Sequence, residues 1–157
     1  MTTEPSTTEP RPGLADPDAG HGIYLADLVG TVALGAVSLV TAAWATAATE
    51  IATLVVSGVL FLGGVVAFGV GFVRVAGRSR YEVVDLAGVF YLTASAPRLA
   101  RRRFLGLWFA QIAIAVASVA VVRPPFAVMA PVWGVGLTTL WASRHGAFPA
   151  RPAVRRA

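Results

Sequence analysis

Only two large polar side chains break into the long apolar stretches of this chain, and they come first because they alone could do chemistry there. Asp27 stands at the opening of the first stretch and Gln111 inside the third. A carboxylate within a membrane is a functional candidate, since burying its charge in hydrocarbon is costly. Asp27 lies one turn from Tyr24, so it is expected at headgroup depth, capping or anchoring a helix start where the dipole favours anions. An amide in a span ties helices together more often than it binds a substrate, and Gln111 is expected to do the former.

Other reactive groupings are missing from the sequence. There is no Cys, so thiolate metal sites, disulfides and thiol catalysis are excluded. The two histidines, His21 and His145, are far apart and stand in no His-x-x-x-His or Glu-x-x-His spacing. Gly63-Gly64 has no Lys behind it, so it makes no phosphate loop. No Gly-x-Ser-x-Gly is present, and the Ser and Thr of the apolar stretches have no nearby base. This inventory predicts a protein that is not an enzyme and has no cofactor and no metal.

The elements that must position Asp27 and Gln111 follow from where the charges are. Charged residues make up 13% of the 157 and hydrophobic residues 56%, with a mean hydropathy of +0.70. A soluble domain carries about 25% charge, so this chain could not coat its own surface. Four charge-free stretches stand out: 28–49, 51–73, 104–122 and 124–143. At about 1.5 Å per residue each can cross a hydrocarbon core of ~30 Å. Their continuous apolar character fits helices and not the alternating strands of a barrel. The fold expected is all-α and polytopic, with four transmembrane helices at about 27–48, 51–73, 104–122 and 125–143. A tight turn is expected at 47–50 and another at Arg123-Pro124-Pro125, where Glu50 could pair with Arg123. Pro131 should kink the fourth helix and release the carbonyl of Ala127. Trp133, at mid-span, is expected to pack against a helix or lipid.

All 13 basic residues are Arg. Twelve fall in the N-terminal tail, the segment 74–103 and the C-terminal tail, against Arg123 alone on the other side. The positive-inside rule then puts both termini and the 74–103 loop in the cytoplasm. The N-region, with Arg11 against Glu4, Glu9, Asp16 and Asp18, lacks the positive charge of a signal peptide, and with the length of the first stretch this argues against cleavage. Residues 1–24 are expected to be a disordered tail, and 144–157 a loose basic tail.

Within the loop, Val83, Leu86, Ala87, Phe90, Tyr91 and Ala94 share one helical face. That predicts a short interfacial helix over 82–96, lying on the inner leaflet. Arg74, Arg78, Arg80, Arg98, Arg101, Arg102 and Arg103 flank it and are expected on lipid phosphates or a partner protein. Topogenic charge explains this cluster better than nucleic-acid binding does, so no nucleic acid is expected. Small residues recur at fourfold spacing: Gly63, Ala67 and Gly71; Ala130, Gly134, Thr138 and Ala142; Ser38, Ala42 and Thr46. Such faces permit close helix approach, within the chain, with a membrane partner or in a homo-oligomer.

The run PVWGVGLTTLWASRHGAFPAR at 131–151, together with RRRFLGLW at 101–108, resembles small four-span membrane proteins of high-GC Gram-positive bacteria. The resemblance implies a plasma-membrane location and assigns no activity. Function is therefore expected to be that of a small non-catalytic accessory or scaffold subunit. The alternative is a small oligomeric transporter or channel, in which Asp27, Gln111 and the Pro131 kink would line the path.

Overall fold

The computed structural model describes residues 19–93, 95–121 and 126–151. Its named elements are all helical: α1 (His21–Ala43), α2 (Ala47–Arg78), α3 (Leu86–Phe90), α4 (Arg98–Val121), a 3₁₀ turn (Phe126–Met129) and α5 (Val132–His145). Three of them are long and apolar enough to cross a membrane: His21–Ala43, Ala47–Arg78 and Arg98–Ala120. The N-terminal residues 1–18, Ala94, Arg123 with its proposed partner role, and 152–157 lie outside the described residues.

α1 starts earlier than its charge-free stretch. Gly20, at φ 80°, takes a left-handed conformation and sits against the Trp141 ring, which only a residue without Cβ permits. Thr31 and Thr41 return their hydroxyls to the carbonyls of Asp27 and Val37, four residues back, so they survive among apolar neighbours. The first hairpin closes at Trp44–Thr46, a few residues before the expected 47–50. The reason is a reciprocal cap: the Thr46 hydroxyl accepts from the Thr49 amide, and the Thr49 hydroxyl from the Thr46 amide. Below it, the hydroxyls of Thr41 and Thr53 meet at 2.8 Å and join the two helices.

α2 buries one stripe: Thr53, Ser57, Leu60, Gly64, Ala67, Gly71 and Val75. Its other faces expose Val55, Val59, Leu62, Val66 and Val73, the pattern of a helix whose outside is apolar and whose inside is small and polar. Against the buried stripe lies α5, which also touches α1 and α4. Backbones come very close here. A Cβ on Gly64 would stand 2.6 Å from the backbone of Val132 and Trp133, and one on Gly71 2.9 Å from that of Thr139 and Leu140. Lipid tails are as apolar as side chains, so contact of this kind holds membrane helices together where the hydrophobic effect cannot.

The fourth expected span, 125–143, is not one continuous helix. Pro131 does more than kink it. The chain makes a 3₁₀ turn at Phe126–Met129, and α5 begins only at Val132 with Pro131 as its N-cap. Pro has no N–H to offer a preceding turn, but at a helix start that donor is not needed. The Ala127 carbonyl, expected to need a new partner, accepts from the Ala130 amide at 3.1 Å. At 14 residues α5 is about 21 Å long, short of a full hydrocarbon core.

The segment between α2 and α4 departs from the expected 15-residue amphipathic helix. Only Leu86–Phe90 is helical, capped by Asp85, whose carboxylate accepts from the Gly88 amide. Leu92, at φ 53°, ends it in a left-handed conformation. Gly88, Val89, Leu92 and Ser95 are buried, and Val89 and Leu92 pack with Phe104, Trp141, Ala142 and Val75. Val83, Leu86, Ala87 and Tyr91 of the expected face point outward, and Phe90 stacks on Phe68 at 6.0 Å. The C-terminal segment is not loose through residue 151. It pairs with the loop through Val83 N to Pro149 O at 2.8 Å, Arg151 N to Tyr81 O at 2.9 Å and Ala147 N to Ser95 O at 2.9 Å.

Candidate functional site

Asp27, Thr31, Gln111 and the start of α5 form one buried polar junction. α1 brings Asp27 and Thr31 to the same face by their spacing of four. Gln111 stands on the inward face of α4, between Trp108 and Ile114. Its amide nitrogen donates to Asp27 Oδ1 and to Thr31 Oγ1, both at 2.8 Å. Its amide oxygen accepts from the Gly134 backbone N–H at 3.1 Å. That N–H belongs to the first turn of α5, where amides have no helical acceptor. One side chain thus joins three helices, and Asp27 and Gln111 are both 0% exposed. Gln111 ties helices as its residue type implied.

Asp27 is not where the sequence put it. α1 starts six residues before it, so it stands in the second turn and caps nothing. Its side chain is sealed inside the bundle. Oδ2 has no hydrogen-bond partner among the described residues. Ser38, Ser57 and Thr138 also bury hydroxyls with no partner among those residues.

Trp133 closes the junction. Its ring NH donates to the Ala26 carbonyl at 3.2 Å, and the ring lies against Gly30 and Gly63. Of the expected packing face, Ala67 and Gly71 are buried against α5, while Gly63 is half-buried under the Trp133 ring. Gly134 packs on Trp108 and Gln111. Ala130, Thr138 and Ala142 are buried with it, whereas in the third expected face only Ser38 is buried, Ala42 and Thr46 being exposed. Gly64 and Gly136 were missed, though Gly64 falls on the 3.6-residue period through Leu60, Ala67 and Gly71. They make the closest contact of all: a Cβ on Gly136 would collide with the Gly64 backbone.

The arginines separate into distinct roles. Arg78 is an internal clamp and not a free cation. It pairs with Glu82 at 2.8 Å, donates to the carbonyls of Ser143 at 3.1 Å and Gly146 at 2.8 Å, and lies over the Phe148 ring at 5.1 Å. Its fork holds the loop and the end of α5 together. Arg103 lies over the Tyr24 ring at 5.3 Å. Arg74, Arg80, Arg98, Arg101 and Arg102 are exposed, and the one ion pair among the described residues is that of Arg78. No three His, Asp or Glu side chains converge among the described residues. Compared with protein families, curated proteins and solved structures, the chain matches none.

Proposed function

We propose that this chain is a multi-pass plasma-membrane protein with a non-catalytic role, an accessory or scaffold subunit whose rigid bundle presents surfaces to a larger assembly. The observation that carries this reading is the use made of the buried polar groups. Gln111 spends three of its hydrogen bonds on α1 and α5, a tie that fixes helices rather than a surface that receives a substrate. In this reading the chain crosses four times. The 3₁₀ turn and α5 make up a broken fourth crossing, and the arginine-rich side, with both termini, is cytoplasmic. The outward Val83, Leu86, Ala87 and Tyr91 rest at the inner interface.

A second reading has its own support. The unpartnered Asp27 Oδ2 lies beside the start of a helix interrupted inside the bundle, and interrupted helices at buried polar groups are where membrane transporters bind ions and substrates. Under it the chain is a small oligomeric transporter or channel.

One experiment separates them. The chain is purified in mild detergent and co-purifying proteins are identified by mass spectrometry, while wild type and Asp27→Asn are reconstituted in vesicles for flux. A scaffold brings down a stoichiometric partner, carries no flux, and tolerates Asp27→Asn because Asn still accepts from Gln111. A chain recovered alone, with ion flux lost in Asp27→Asn, overturns the scaffold reading.

A further inference from the structure

Arg98, Arg101, Leu105, Trp108 and Ile112 follow one another on α4 at intervals of three and four residues, so they form a single stripe. Its character changes along its length. At the Arg end, Arg98, Arg101, Arg102 and Leu105 line an open pocket of about 480 Å³. At the other end, Trp108 and Ile112 wall an apolar groove of about 420 Å³, completed by Val65 and Phe68 of α2 and Val132 and Val135 of α5. Aromatic rings of the loop border the apolar groove. Tyr91 tilts against Trp108 at 6.3 Å, and Phe90 stacks on Phe68. Among the described residues, none of Arg98, Arg101 and Arg102 pairs with a carboxylate.

The depth of the stripe identifies its occupant. From Arg98 to Ile112 α4 rises about 21 Å, half of the ~40–45 Å bilayer measured with its headgroups. A partner helix would run the full thickness, and a free phosphate would use only the basic end. A stripe one leaflet deep, with guanidinium groups at its outer end and an apolar groove at its inner end, matches a lipid, its phosphate among the arginines and a chain below. Guanidinium forks suit phosphate oxygens, and basic pockets beside spans hold anionic headgroups.

We propose that this stripe binds one anionic glycerophospholipid, its phosphate held by Arg98, Arg101 and Arg102 and one acyl chain lying in the groove between α2, α4 and α5. The proposal rests on the membrane placement argued above and deepens it by naming the ligand of the basic face. Native mass spectrometry of the full chain in mild detergent tests it, with phosphatidylglycerol and phosphatidylcholine of the same chains as probes. Wild type should retain one phosphatidylglycerol roughly tenfold more tightly than phosphatidylcholine, because both offer a phosphate but the choline cation of the latter is repelled by the guanidinium cluster. Changing Arg98, Arg101 and Arg102 together to Gln should abolish that preference. Arg74→Gln with Arg80→Gln, which removes charge away from the stripe, should leave it intact. Val135→Trp and, from the opposite wall, the more exposed Val65→Trp should each weaken retention of both lipids several-fold. Equal losses from the Arg74 and Arg80 changes would overturn the proposal in favour of diffuse surface charge. So would displacement of the lipid by inorganic phosphate, or unchanged retention in both Trp variants. Failure of the membrane placement itself would look different: the wild-type chain would be recovered in the soluble fraction of broken cells.

Discussion

Glycine at position 64 does what no other residue can do there, because the atom a side chain would add falls 2.6 Å from the backbone of Val132 and Trp133. Backbone cannot rotate away as a flexible side chain can, so the helices would have to part. Gly69, one and a half turns along the same helix, has nothing within 4 Å of the same added atom. Gly64→Ala should therefore destabilise the bundle by about 1–3 kcal/mol, the usual cost of overpacking. Gly69→Ala should be neutral or slightly stabilising, since Ala is the better helix former by ~1 kcal/mol. Thermal denaturation in detergent compares the two directly, and equal effects would show that close approach at Gly64 does not hold α2 to α5. Both residues are Gly in an apolar helix, and residue type alone does not tell them apart. The period of the buried stripe does: Gly64 is on it and Gly69 is not.

Among the elements, the loop and the C-terminal segment form a unit that the hydrophobic pattern concealed. The period of 82–96 matched a helix, yet chain folding there is governed by the Asp85 cap, the left-handed Leu92 and pairing with 147–151. None of these leaves an apolar period. Arg78 fastens the unit by binding the last carbonyls of α5 and Glu82 at once. Hydrogen bonds from a charged donor contribute about 1.5–3 kcal/mol. Arg78→Gln should accordingly speed amide hydrogen exchange at Val83, Ala147 and Arg151 by at least about tenfold, while the amides of α1 exchange as before. Protection unchanged at those three positions would mean that the backbone pairing stands without the clamp.

For the whole molecule, the decisive quantity is the distribution of charge between the two ends of the bundle. A chain with no Cys lets single cysteines report it cleanly. Ala48→Cys, exposed in the first turn of α2, should react with an impermeant maleimide in intact cells. Arg80→Cys, exposed on the arginine-rich side, should react only after permeabilisation. The opposite pattern would invert the orientation and place the basic face outside.

Composition alone determined that this chain is helical and built for an apolar surround, because 13% charge cannot cover a soluble domain and long uncharged stretches need internal backbone bonding. It also made Asp27 and Gln111 the polar pair to follow, since nothing else large and polar enters the stretches. Only the tertiary structure decided that they meet. Their separation of 84 residues carries no local signal, and the bond requires α1 and α4 to face each other. Asp27 looked peripheral because charge marks where a stretch becomes apolar, whereas Gly20 and its contact with Trp141 fix where the helix begins. The fourth stretch looked like one continuous helix because hydropathy is blind to backbone donors. Pro131 lacks one, so the helix restarts there, and the amide that the restart leaves open is the one Gln111 satisfies.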